Sequence, residues 1–151
     1  MTTRFERFMV ALAGINRSWH RISTEVMEEY GLKGSYAIYL VTMPRYPDGI
    51  TSAQLSEICG RNKADVSRAV SELEDKRLVE RDTGDGKGRY RATIKLTEAG
   101  REAAEQVKKL ANIAVEIAGM GLPEERRAMF YETMELISSN LQNLSKNGLI
   151  K

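Results

Sequence analysis

The chain has 151 residues, 23 Lys and Arg against 21 Asp and Glu, 42% hydrophobic residues, one Cys and one His, which is enough for one domain with its own core. Cys59 alone excludes an internal disulfide framework and a Cys-based zinc or iron-sulfur site, and with only His20 beside it no Cys/His cluster can hold a transition metal. No apolar run reaches the ~20 residues of a membrane span and Met1 to Arg7 lacks a signal peptide's apolar stretch, so the expectation is a soluble, cytoplasmic protein without metal or cofactor.

From Phe5, apolar residues recur as Phe8, Met9, Leu12, Ile15, Trp19, Ile22 and Val26, a three-and-four spacing that lines one face of a long helix. Gly31 and Gly34 mark its end. A second helix is predicted over Ser35 to Met43, closed by the turn residues from Pro44 to Gly49. Thr51 or Ser52 caps a short helix that stops at Gly60. Asn62 opens the next, with Asp65 three residues on in a variant of the capping box, and that helix runs to about Lys76, burying Val66, Ala69, Val70 and Leu73.

Leu78 to Asp82 and Tyr90 to Leu96 read as a β-hairpin around a Gly-rich tip, Thr83-Gly84-Asp85-Gly86-Lys87-Gly88. Thr97 caps a long helix carrying Ala103, Val107, Leu110, Ala114 and Ile117. Pro123, suited to a first helical position, starts another with Phe130, Met134, Ile137, Leu141 and Leu144 in the same rhythm. The first and the last two helices carry more apolar stripe than the central segment can cover. The economical solution is a two-fold dimer in which the first and last helices of two chains pack together; a monomeric bundle is the alternative.

The order helix, tight turn, helix, hairpin over residues 51 to 96 is that of a winged helix-turn-helix, whose second helix enters the major groove. At about 100° per residue, the face of the Asn62 to Lys76 helix opposite its core carries Ala64, Arg68, Ser71 and Asp75, flanked by Ser67. Small residues permit close approach, and Arg68 can donate twice to a guanine edge or a phosphate. Glu72, Glu74 and Asp75 would repel phosphates at the far end, so only the first two turns, with Asn62 and Lys63 at the tip, are expected in the groove. The hairpin adds Lys87, Arg89 and Arg91, whose odd positions share one strand face and suit the minor groove or flanking phosphates. Residues 61 to 95 hold ten basic and seven acidic groups; the net positive charge of the chain lies there, as such a contact requires.

These residues resemble the MarR family of dimeric winged helix-turn-helix transcription regulators. The resemblance rests on Val66-Ser67-Arg68-Ala69-Val70, Leu73-Glu74-Asp75-Lys76, Leu78-Val79-Glu80-Arg81 and Leu96-Thr97-Glu98-Ala99-Gly100, which match the family's recognition helix, first wing strand and the start of the next helix. It implies a mainly α fold with a small β-hairpin wing, one MarR-like domain over 1–151, a winged lobe at 35–96 and a helical dimerisation region at 1–30 and 97–151. It also implies a homodimer bound to double-stranded DNA at a near-palindromic operator, acting as a ligand-responsive repressor, with half-site centres ~34 Å apart. Where the family carries Asp-x-Arg in the wing, this chain has Gly88-Arg89-Tyr90, leaving Arg89 or Arg91 as the substitute.

For a small-molecule effector, the resemblance points to a cleft between the dimerisation helices and the DNA-binding lobe, with Trp19, His20, Tyr36, Tyr39 and Met43 as candidate lining. Cys59 at a helix C-terminus, where the dipole disfavours a thiolate, reads as a structural residue, with a redox sensor as the alternative. No Gly-x-Ser-x-Gly elbow or phosphate-binding loop is present, and Glu28-Glu29 and Glu124-Glu125 splay apart on a helix. The expectation is therefore not an enzyme; a winged-helix protein-interaction module is the remaining alternative.

Overall fold

The structure is a computed structural model that describes residues 1–84 and 92–148. Two compact units divide the chain, Met1–Ala111 and Asn112–Lys151. In the first unit, helix α1 (Arg4–Glu28) opens on a capping box: the Glu6 N–H donates to the Thr3 hydroxyl at 3.1 Å and the Thr3 N–H to the Glu6 carboxylate at 2.6 Å. Only Ser23 and Met27 of α1 are buried.

The predicted helix from Ser35 to Met43 is three short pieces: a 3₁₀ turn at Gly34–Tyr36, helix α2 at Ala37–Thr42, and a second 3₁₀ turn at Met43–Arg45. Pro44 is the reason for the last break, since it lacks an N–H and crowds the α conformation of the residue before it. Gly34 explains the first, because a Cβ there would lie 2.8 Å from the Thr24 backbone nitrogen; the turn meets α1 that closely only without a side chain.

Helix α3 (Ser52–Cys59) has Thr51 and Gln54 as a reciprocal capping box and ends at Gly60 in the left-handed region, φ 62°. Helix α4 (Lys63–Asp75) follows. Strands β1 (Ile50–Thr51), β2 (Val79–Asp82) and β3 (Thr93–Leu96) form an antiparallel sheet in the order β1-β3-β2, with Ile50 opposite Ile94 and Val79 opposite Leu96. Strands β2 and β3 pair as the predicted hairpin, with β2 starting at Val79 rather than Leu78 and β3 at Thr93 rather than Tyr90, and residues 85–91 lie outside the described ones. The strand β1 is not predicted: two residues are too few to show a period of two, and the pairing with β3 is non-local. Glu80 faces Lys95 across the hairpin, a favourable cross-strand charge pair.

Tyr39, Leu40, Ile50, Leu55, Val66, Val70, Leu73 and Ile94 are essentially fully buried. They come from α2, α3, α4 and the sheet, and the first half of helix α5 (Glu98–Ala118) joins them through Ala103, Ala104 and Val107. In the second unit, helix α6 (Glu124–Asn147) begins one residue later than predicted. Pro123 is its N-cap, in extended conformation, with its carbonyl accepting from the Arg126 and Arg127 N–H groups. Arg127 also donates to the Glu116 carboxylate at 2.9 Å and the Gly119 carbonyl at 3.0 Å, so the α5–α6 turn is tied at both sides. No helix among the described residues is long and apolar enough to cross a membrane.

Candidate nucleic-acid interface

The sequence makes α4 two-faced, and the fold uses both faces. Val66, Ala69, Val70 and Leu73 are 0% exposed, spaced by three and four as a core-facing stripe demands. Asn62, Lys63, Ala64, Ser67, Arg68 and Ser71 all lie exposed. Roughly 1.5–3 kcal/mol for each large apolar side chain buried fixes the rotation of the helix about its axis. The outward direction of Ser67 and Arg68 is thus a by-product of core packing.

Both ends of α4 are pinned. At the start, the Asn62 side chain accepts from the Asp65 N–H at 2.8 Å, one half of the predicted capping box. The other half does not form: the Asp65 carboxylate accepts instead from the Arg68 guanidinium one turn along. Ahead of the cap, the Arg61 backbone bonds twice to Ser56, its N–H to the Ser56 carbonyl and its carbonyl to the Ser56 hydroxyl.

At the far end the chain leaves by a Schellman turn, with the Leu78 N–H on the Leu73 carbonyl at 2.9 Å and the Arg77 N–H on the Glu74 carbonyl at 2.9 Å. Arg77 holds the left-handed position, φ 59°. Its carbonyl accepts from the Thr97 hydroxyl at 2.7 Å, which in turn accepts from the Gly100 N–H at 3.0 Å. A Cβ on Gly100 would fall 1.9 Å from the Leu78 carbonyl oxygen. The Leu96-Thr97-Glu98-Ala99-Gly100 block therefore locks the first turn of α5 onto the end of α4, and its Thr and Gly each have a specific reason.

Two of the three acids expected to repel phosphates, Glu72 and Glu74, are held by their own lobe. Glu72 accepts from the Tyr36 hydroxyl at 2.9 Å, and Glu74 from Arg81 Nε at 2.6 Å, with the Arg81 side chain only 12% exposed. Burial first, and the bond to Glu72 second, push the Tyr36 phenol up to about 12, so it stays a donor throughout the physiological range. Sequence reasoning missed this role of Arg81; its signal was the motif position itself, an arginine at the end of the first wing strand.

The wing residues Lys87, Arg89 and Arg91, with Asp85, Gly88 and Tyr90, lie outside the described residues. The effector candidates do not converge. Trp19 and His20 stand on the exposed side of α1. Tyr36 and Tyr39 are buried in the wall of a cavity of about 180 Å³, while Met43 lines a separate one of about 270 Å³ with Tyr46, Leu96, Arg101 and Glu105. Cys59, half-buried, points its thiol at the Thr42 hydroxyl at 3.6 Å, inside the packing around the core.

A helix with a packed inner face, an exposed small-residue outer face, and a three-stranded wing sheet against its end is a recognition-helix arrangement. Residues 30–89 match the MarR family model. Over this stretch the chain resembles the MarR family. The match begins just past α1 and covers α2, α3, α4 and β2, the elements whose geometry has just been given. Solved MarR-family structures share the fold well beyond it. A MarR transcriptional regulator from Methanosarcina mazei Go1 is 23% identical, with 92% of this chain and 99% of that one covered and a TM-score of 0.79. A MarR protein from Peptoclostridium difficile DA00132 is 19% identical, at 95% and 94% coverage and a TM-score of 0.83. A MarR-family transcriptional regulator from Rhodococcus sp. RHA1 is 19% identical, at 91% and 96% coverage and a TM-score of 0.74. No curated protein matches the chain at a significant level. The MarR likeness at these identities is one of fold, and it extends to the outer helices that the family model leaves unmatched.

Proposed function

We propose that this chain is a sequence-specific, double-stranded-DNA-binding transcription regulator that acts as a homodimer on a near-palindromic operator and represses by occupying it. The observation that carries the reading is the outward face of α4, where Ala64, Ser67, Arg68 and Ser71 stand clear of a fully buried inner stripe. Ala64 and the two serines let the helix approach base edges closely, and Arg68 offers two donors to a guanine. Arg68 exchanges its Asp65 partner for the base; an exposed pair on one helix is worth only about 0.3–0.5 kcal/mol, so the exchange costs little. Asn62, whose side-chain oxygen caps α4, has its amide N–H groups left for a phosphate, beside Lys63. Lys87, Arg89 and Arg91 of the wing complete the grip on the flanking phosphates or minor groove.

The homodimer is supported by the apolar stripes of α1 and α6, on which Phe5, Ile15, Phe130 and Leu141 remain exposed. A second copy is the economical cover, and its two-fold axis sets the operator symmetry. An effector regulates such a dimer by binding better to one half-site spacing than another; the Met43 cavity is the candidate seat. A cytoplasmic location follows from the role.

Selection of bound sequences from a random duplex pool tests this reading. Enrichment of a near-palindrome is expected, and Arg68→Ala then weakens binding to the selected site by about 1–3 kcal/mol while relaxing preference at one position of each half-site. Equal losses on every sequence reduce Arg68 to a phosphate contact, and absence of any enriched sequence overturns specific recognition.

A further inference from the structure

The cavity of about 180 Å³ beside the first turn of α4 is not accounted for by base reading. Its wall is made by Lys33 and Ser35 at the turn before α2, by Tyr36 and Tyr39, and by Arg61, Asp65 and Arg68 at the start of α4. Three cations and one carboxylate face it. Asp65 is already neutralised by Arg68, and among the described residues neither Lys33 nor Arg61 has a carboxylate within ion-pair distance. The cavity thus keeps two uncompensated positive charges while the Asp65–Arg68 pair is closed, and a net of one when Arg68 leaves Asp65 for a base.

The backbone that carries Arg61 is set in place before anything binds. Arg61 projects from a backbone fixed on both sides by Ser56, one residue ahead of the N-cap of α4, where the helix dipole adds to the attraction for an anion. The Lys33 ammonium lies 6.0 Å above the Tyr36 ring, which holds a cation weakly and leaves it free to turn. Tyr39 is 2% exposed, and its hydroxyl is hydrogen-bonded to none of the described residues although it borders this charged space. Among the described residues only Ser23 Oγ is a fully buried side-chain polar atom without a partner, so the Tyr39 hydroxyl opens onto the cavity and can donate to an acceptor there. Burial raises its pKa while the nearby Arg61 opposes the rise, so it is protonated and able to donate.

We propose that Lys33, Ser35, Tyr39 and Arg61 form a seat for one backbone phosphodiester of the bound duplex, placed next to Arg68 so that its occupation fixes the register in which Arg68 meets the bases. This rests on the DNA-binding reading above and adds to it a contact from outside the recognition helix and the wing. The shared chemistry is that of an oxyanion taking charge and hydrogen bonds together, the arrangement in which phosphate contacts position a protein without carrying sequence information.

The test uses the full chain carrying Lys33→Gln with Arg61→Gln, and Arg61→Lys as the conservative companion. Binding is followed by fluorescence anisotropy across a salt series, on the selected operator and on an unrelated duplex. The double variant is expected to lose affinity by the same factor on both duplexes, with the slope of log K against log salt shallower by about 0.9 for each protomer; Arg61→Lys is expected to keep the wild-type slope. An unchanged slope, or a loss confined to the operator, overturns the seat while leaving DNA binding intact. If inorganic phosphate raises the melting temperature of the wild type but not of the double variant, and the slope is unchanged, the cavity serves a free anion and the duplex assignment falls. A wild type that binds no duplex removes the functional reading itself, and this one with it.

Discussion

Helices α4 and α6 are built from the same materials and have opposite fates. The 13 residues of α4 bury Val66, Ala69, Val70 and Leu73 completely, and the helix is capped, turned and bolted at both ends. The 24 residues of α6 bury none, although Phe130, Leu136, Leu141 and Leu144 recur on it. The winged lobe closes its hydrophobic surface on itself within one chain. An isolated helix with unburied apolar residues draws little stability from packing, so α6 depends on a cover that the lobe does not need. Stability and assembly are therefore separable here, and substitutions in the two regions should fail in different ways.

Gly100→Val should give the largest effect. A Cβ at that position meets the Leu78 carbonyl oxygen at 1.9 Å, and the atom struck is backbone, which cannot swing aside. The α5 turn must then leave the end of α4, taking with it the Thr97 bonds to Arg77 and Gly100. Overpacking and two lost hydrogen bonds together should cost roughly 3 kcal/mol or more, read as a lower urea midpoint for the whole lobe. A midpoint within experimental scatter of the wild type would mean that this close approach is not a rigid feature of the fold.

Phe130→Lys should do the reverse. Phe130 is 47% exposed, with its ring edge-on to Tyr131 at 5.7 Å, so the substitution removes little packing within the chain. In a helix-to-helix dimer an aromatic anchor is worth about 2 kcal/mol, and a charge in its place adds a desolvation penalty. Sedimentation should show the mass of two chains for wild type and of one for the variant at micromolar concentration, with the lobe's urea transition retained. Equal mass for both would place the cover of α6 elsewhere.

How much of this was legible in the sequence follows the same division. Most elements whose stabilising contacts lie within about four residues of chain were readable: the caps of α3 and α4, the Gly60 stop, and the buried stripe of α4, which alone sets the outward face of the candidate interface; the Thr3–Glu6 capping box of α1 was overlooked. What was not readable depends on partners far along the chain. The strand β1 exists because Ile94 and Thr93 lie opposite Ile50 and Thr51. The break of the second helix reflects the contact of Gly34 with Thr24 as much as Pro44. The capping box at Asn62 was half right because the motif alone does not say that Arg68 competes for the Asp65 carboxylate. Lys33 and Arg61 are 28 residues apart in sequence, and only folding shows that they share a cavity.

The smallest effect is expected at Arg77, and it carries the opposite sign. This residue occupies the left-handed position of the Schellman turn, φ 59°, where a Cβ crowds the following carbonyl at a cost of about 1–2 kcal/mol. The turn is nevertheless made, because it satisfies two carbonyls at the end of α4 and delivers Leu78 to the core. Arg77→Gly relieves the crowding while keeping the carbonyl that Thr97 uses, and glycine's greater freedom in the unfolded chain returns roughly 0.5–1 kcal/mol of that gain. A net stabilisation of about 0.5–1 kcal/mol should therefore appear as a higher urea midpoint, with oligomeric mass unaltered. A loss of stability would show that the Arg77 side chain makes a contribution to the lobe larger than the strain it bears, and a change in mass would show that lobe and assembly are coupled through the end of α4 after all.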